Sequence, residues 1–313
     1  MSDATTYDAI VIGGGPAGLT AGMYLARAGR RTLLLEQTVL GGQIAQTSHL
    51  ENYPGFPETI SGREFIERLE KQATRFGLDI QFGRVEALKV EGEWKEVVAA
   101  GFPFRARVVV VATGLVQRLG VPGEEELLGR GVSYCATCDG ALYRNRPVAV
   151  VGVSEWAMEE AHYLTRFASA VYLVVPVRGV KPTTPLRREV LAHPSVRVVA
   201  GAHPREILGD ATGVTGLSVE IEGSSEPTRL QVDGVFIFSG KKRPGTDFLQ
   251  DWKDRDEDGY LRVDDACETS VPGVYAVGDV RRHRFHQVAA AVGDAAIAGM
   301  DALRYLKKGE DGA

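Results

Sequence analysis

Only three of the 313 residues are cysteine, four are methionine and three are tryptophan. So few cysteines exclude a disulfide-stapled scaffold. Long apolar runs are missing too: the longest nearly apolar one, Val108 to Val116, has nine residues, against the ~20 of a membrane-spanning helix. Positive charge is not in excess, since the formal net charge is -5, which argues against a general nucleic-acid binder. The opening Met1-Ser2-Asp3 lacks the basic stretch of a secretory signal, so a cytoplasmic protein is expected, with neither nucleic acid nor membrane as partner. What is present is ordinary: 44% hydrophobic and 25% charged residues, enough to bury a core and too apolar for a disordered chain. At ~150 residues per domain, the length implies two.

Two segments match at an offset of 139 residues. The first has Ala9-Ile10-Val11-Ile12, the turn Gly13-Gly14-Gly15-Pro16-Ala17-Gly18, an apolar-periodic stretch to Ala28, and Thr32-Leu33-Leu34-Leu35-Glu36. The second has Pro147 to Val151, Gly152 to Ala157, a helical stretch to Phe167, and Ala170 to Val175. Each reads as strand, turn, helix, strand, the βαβ unit of a nucleotide-binding fold. The period is far longer than that of a solenoid, so the expected class is α/β with two Rossmann-like domains. Two further β-rich runs, Arg105 to Val111 and Gly234 to Phe238, end in the turns Thr113-Gly114 and Ser239-Gly240. Domain crossings are expected just beyond them. The first domain then comprises residues 1–117 and 246–313, and the second, 118–245, is inserted in it.

In Gly13-x-Gly15-x-x-Gly18 the first glycine permits the tight turn, the second lets backbone approach a pyrophosphate, and the third lets helix and strand pack closely. Amides at the helix N-terminus then attract the phosphates. Glu36 ends the next strand, 18 residues beyond Gly18, where a carboxylate can accept from an adenosine ribose. The context of strand, helix and acid makes this a nucleotide site, although NAD and FAD share the fingerprint. A later segment, Thr269 to Asp279, resembles the second flavin fingerprint of two-dinucleotide flavoproteins, with Gly278-Asp279 after an apolar strand.

Tyr134-Cys135-Ala136-Thr137-Cys138-Asp139-Gly140 contains a CxxC. A zinc site wants four ligands, and only Cys267 remains, with no HxxxH near it. A structural disulfide over so short a loop would remove little unfolded-state entropy. Reversible thiol–disulfide exchange suits the pair best. Exchange needs a thiolate and a protonated leaving thiol, so Asp139 is placed to manage the proton. Cys267 reads as an inert buried thiol.

Together these segments resemble the low-molecular-weight, bacterial-type thioredoxin reductases over essentially the whole chain. The matching motifs are Gly13 to Gly18, Gly41-Gly42-Gln43, Glu51-Asn52-Tyr53-Pro54-Gly55, Ala112-Thr113-Gly114, Cys135 to Asp139, and Gly278-Asp279 followed by His286-Gln287-Val288. The resemblance implies FAD bound by Gly13, Gly15, Pro16, Ala17, Gly18, Glu36, Gly42, Gln43, Asn52, Val85, Ala112, Thr113, Gly114, Gly278, Asp279, His286, Gln287 and Val288. It implies that Cys138 exchanges with the flavin, Cys135 attacks a thioredoxin-like disulfide, and Asp139 is the acid–base group. It also implies a homodimer. His286 stands where the family carries arginine.

The larger departure lies in the second loop. By the offset, Gly15 corresponds to Ser154, Gly18 to Ala157 and Glu36 to Val175. Val153, Ser154, Glu155 and Trp156 replace the family's small residues, and Val175-Pro176-Val177 replaces the basic run that holds the NADPH 2′-phosphate. Only Arg178 and Lys181 lie near enough to substitute. Each lost phosphate contact costs ~1–3 kcal/mol, so NADPH is expected to bind poorly or not at all. A ferredoxin or another acidic carrier is then a candidate electron donor, with Arg281-Arg282-His283-Arg284 as its docking patch or, alternatively, as a solvated loop. Two other functions stay open: a flavoprotein dithiol oxidase, and a non-enzymatic flavin redox sensor.

Overall fold

The computed structural model describes residues 4–47, 49–249 and 252–311, without the side chains of Gln46, Cys138, Lys241, Glu310 and Asp311. The chain divides into two compact units, residues 1–116 with 243–313, and residues 117–242. No helix among the described residues is long and apolar enough to cross a membrane.

The first unit is built on a five-stranded parallel sheet in the order Val274–Ala276, Val108–Val111, Ala9–Ile12, Thr32–Glu36, Asp79–Phe82. Its centre is β-branched and apolar because both faces are covered. Val108 to Val111 have no exposed surface at all. The helices Pro16–Arg27 and Val288–Asp311 pack against each other, and Ser61 caps Gly62–Thr74 by accepting from Glu64 N–H at 3.1 Å. A four-stranded sheet runs Thr5–Thr6, Phe102–Ala106, Trp94–Ala99, Val85–Glu91. The stretch Arg105 to Val111, expected as one β run, is therefore two strands of different sheets, divided at Arg107. Its apolar pattern cannot reveal the change of partner.

The second unit repeats the theme. Its parallel sheet runs Val132–Ser133, Gly234–Ile237, Pro147–Val151, Ala170–Val175, Val196–Ala200. Helices Glu155–Leu164 and Pro185–Ala192 cover it, and an antiparallel sheet of Ala202–Asp210, Gly213–Ile221 and Thr228–Leu230 completes the unit. The helices Pro16–Arg27 and Glu155–Leu164 begin 139 residues apart, so the two βαβ units superpose in register along the sequence.

Candidate active site

The first glycine loop leaves its helix N-terminus open. Gly15 caps Pro16–Arg27 with extended backbone and no side-chain bond to the first-turn amides. A Cβ built on Gly15 would meet nothing nearer than the Gly41 carbonyl oxygen at 3.9 Å. Gly13 and Gly18 close the turn instead. A Cβ on Gly13 (φ +107) would stand 2.5 Å from the Ala112 carbonyl oxygen, and one on Gly18 would strike the Gly13 carbonyl. Glu36 accepts Gly14 N–H at 2.7 Å and Thr38 N–H at 3.0 Å, and burial pushes its carboxyl above the usual range. The acid thus fixes the loop while keeping lone pairs for a ribose.

The other residues expected to contact the cofactor lie in the same unit. Gly42 lies against it, the nearest atom to a Cβ there being Gly15 Cα at 3.8 Å. Thr113, between Ala112 and Gly114, has its hydroxyl buried without a hydrogen-bond partner among the described residues. Asn52 donates to Gln287 at 3.0 Å across 235 residues of sequence, and Gln43 donates to the Leu115 carbonyl at 3.1 Å. His286 Nδ1 lies 3.3 Å from Asp279, and Val288 opens the last helix. Val85 opens its strand two residues after Gly83, whose N–H donates to the Glu36 carbonyl at 2.8 Å. An uncapped helix N-terminus and an orphaned buried hydroxyl are what the polar atoms of a dinucleotide satisfy. These residues fit FAD.

One anchor was not visible in the sequence reading. Asp294, buried on the last helix, accepts Gly278 N–H at 3.1 Å and Arg281 at 3.1 Å and pairs with His283 at 2.7 Å. It sets the turn that carries Asp279. An acid in the alanine- and glycine-rich first half of that helix is the signal the sequence offers.

In the second unit, Cys135 is disulfide-bonded; the expectation for Cys138 falls on a side chain outside the described residues. Ala136–Asp139 forms a single helical turn, closed by Asp139 N–H on the Cys135 carbonyl at 3.2 Å. Ser133 Oγ accepts Cys135 N–H at 3.1 Å, and Thr137 Oγ1 lies 3.3 Å from the Cys135 sulfur. The preceding Tyr134 is pinned by donating its hydroxyl to Glu124 at 2.7 Å, with Arg118 over its ring. Asp139 is half-buried at the end of the turn. Cys267 is free and fully buried, its thiol pushed up to about 11 by burial.

The second nucleotide loop satisfies itself. Ser154 Oγ accepts Ala157 N–H at 3.1 Å, so one first-turn amide of this helix is already taken. Glu155 accepts from Thr184 at 2.5 Å and from Arg187 at 2.9 Å, which holds its carboxyl below the usual range. Arg187 also donates to the Val153 carbonyl at 2.7 Å. Trp156 packs edge-on to Phe238, with centroids 4.5 Å apart. Of the two candidate substitutes, Arg178 is paired with Glu222 at 2.6 Å.

The basic run is not a free patch either. Arg281 turns to Asp294 and the Cys267 sulfur, His283 to Asp294, and Arg282 to Asp256 and Asp258 at 2.7 and 2.6 Å. Acids distant in sequence thus pair with most of the run that was expected as a docking patch or a solvated loop, and only Arg284, stacked at 5.5 Å on the exposed Phe285, lacks such a pairing among the described contacts.

Comparison with known proteins shows what the chain is similar to. A family model described as pyridine nucleotide-disulphide oxidoreductase matches residues 7–295. The chain is similar to the thioredoxin reductase of Aquifex aeolicus, 40% identical over 310 residues that cover 96% of this chain and 94% of that one. Among solved structures it resembles a thioredoxin reductase from Gloeobacter violaceus, at 41% identity, TM-score 0.67, and 97% and 95% coverage. It also resembles a ferredoxin-flavin thioredoxin reductase from Clostridium acetobutylicum, at 27% identity, TM-score 0.61, and 97% and 99% coverage.

Proposed function

The chain belongs to the thioredoxin reductases of the pyridine nucleotide-disulphide oxidoreductase family, and we propose that it reduces a thioredoxin-like protein with electrons that do not come from NADPH. It is an FAD-dependent disulfide oxidoreductase. Bound at the Gly13–Gly18 loop, FAD supplies the two-electron store that thiol chemistry needs. The chain's own residues do the rest. Cys138 is the thiol that exchanges with the flavin. Cys135 attacks the substrate disulfide as a thiolate, and Asp139 carries the proton to and from the leaving sulfur.

One observation carries the donor reading: two equivalent helix N-termini differ, open at Gly15 and self-capped at Ser154. With Glu155 adding negative charge and Trp156 adding bulk, the second unit keeps the fold of a nucleotide site without its vacancy for phosphate. A protein carrier of the ferredoxin class then supplies the electrons, and the Clostridium relative is named a ferredoxin-flavin thioredoxin reductase. A cytoplasmic setting, where thiols stay reduced, suits the same role.

The test is anaerobic mixing of the yellow protein with NADPH, NADH and reduced ferredoxin in turn. Bleaching by ferredoxin, followed by turnover of a thioredoxin disulfide, is expected, with NADPH inert up to about 1 mM. Rapid bleaching by micromolar NADPH would sink the donor reading and leave the reductase reading intact. Peroxide formed from dithiols, with no thioredoxin turnover, would point to the oxidase instead. The working assembly is a homodimer, and sedimentation as a single 33.8 kDa chain would refute that.

A further inference from the structure

A carboxylate underlies the redox turn. Ala136 N–H, the first amide of the turn Ala136–Asp139, donates to Glu160 Oε2 at 2.7 Å. Thr137 N–H and the Trp156 side chain add favourable electrostatics at the same carboxylate. Glu160 comes from the helix Glu155–Leu164, where it sits beside the buried stripe of Ala157, Ala161 and Leu164. Its three partners are two main-chain N–H groups and an indole. None of them is cationic, so these donors favour the ionised carboxylate without cancelling its charge. Burial works against this and pushes the group above the ordinary carboxylate range.

In a helical CxxC turn, the first amides ordinarily stabilise the leading thiolate, which makes the disulfide easier to reduce. Here the first of them, Ala136 N–H, is engaged by Glu160, whose carboxylate is thus bonded to the residue next to Cys135. We propose that Glu160 is a positioning residue that makes the Cys135–Cys138 pair a stronger reductant. This rests on reading Cys135 and Cys138 as the redox couple. On reduction their S–S bond breaks as two electrons, drawn from the reduced flavin, and two protons arrive. On turnover the electron pair and both protons pass to the substrate disulfide, and the S–S bond re-forms. A fixed negative charge disfavours the reduced, thiolate-bearing state, so the electrons leave more readily.

Other charged and titratable groups described around the turn are Asp139 at its end, Glu159 on the same helix as Glu160, Tyr143, which burial and Asp139 push up, and Arg146, which is paired with Asp233 at 2.9 Å. The acids act in the same sense as Glu160. Trp156 ties the arrangement to the altered nucleotide loop. The side chain that fills the loop's small-residue position also holds Glu160.

A redox titration tests this. Wild-type and Glu160→Gln holoenzymes are equilibrated in thiol/disulfide buffers of graded ratio and alkylated, and the reduced pair is counted by mass. Glutamine keeps an oxygen acceptor for Ala136 N–H and removes the charge. Its midpoint is expected about tenfold toward easier reduction, about 30 mV, with flavin absorbance unchanged; Glu160→Asp, which keeps the charge, stays on the wild-type side. A wild-type pair that titrates, beside a Glu160→Gln pair with the same midpoint, overturns the proposal and leaves the couple standing. A wild-type pair that never changes state in any buffer removes the couple, and the proposal with it. The unmutated protein gives a second reading: after reduction, Cys135 alkylates with a pKa at or above the ~8.5 of free cysteine. A value near 7 overturns the proposal without any variant having to fold.

Discussion

Replacing Cys135 with serine is expected to cut thioredoxin turnover by about 10³-fold or more while the flavin spectrum stays that of the unmutated protein. A hydroxyl cannot form the mixed disulfide through which exchange runs, Cys138 without its partner cannot re-form the S–S bond, and the third cysteine is no substitute. Cys267 is fully buried, its thiol is pushed up to about 11, and Arg281 lies 3.1 Å from it. The residues that fit FAD all lie in the first unit and Cys135 lies in the second, so the substitution removes the chemistry and spares the cofactor. Turnover of a thioredoxin disulfide with chemically reduced enzyme measures the loss. Activity within tenfold of wild type would mean that Cys135 does not attack the substrate.

Gly15→Ser is expected to give a folded protein that has lost about a hundredfold in FAD affinity. The substitution copies into the first loop what the second already has at Ser154. Gly15 has φ -75, which any residue adopts, and its nearest neighbour for a Cβ is 3.9 Å away. The apoprotein has no reason to unfold, and a serine N-cap exceeds glycine by only a few tenths of a kcal/mol. The new hydroxyl takes a first-turn amide and fills the space over the others. Displacing phosphate contacts of ~1–3 kcal/mol each then yields the loss. Flavin retention after dialysis and the apoprotein melting temperature, read together, separate this from misfolding. Unchanged flavin content would show that the Gly15 amides do not hold the pyrophosphate.

Some of this was legible in the residues because the governing contacts are local. Gly13, Gly15, Gly18 and Glu36 act within one βαβ unit, so their spacing alone specifies strand, turn and helix. The 139-residue offset carried the second unit in the same way, and it located Ser154 at the position of Gly15. Contacts between distant residues were harder to see. Nothing local to Arg281-Arg282-His283-Arg284 announces that Asp256, Asp258 and Asp294 neutralise it. Likewise, the pairing of Asn52 with Gln287 follows only once the sheet has brought the ends of the first unit together. Glu160 carries no signal of its own in the predicted helical stretch. Only the fold shows that it meets the first amide of the CxxC turn.

Because the two βαβ units keep one register, the molecule contains its own internal control. Any nucleotide, inhibitor or buffer anion added to it meets two copies of the same backbone device in one solution, at one pH and one ionic strength. The copies differ at the loop by a handful of side chains. Preference for one copy therefore reports on those side chains, and no second protein is needed for reference.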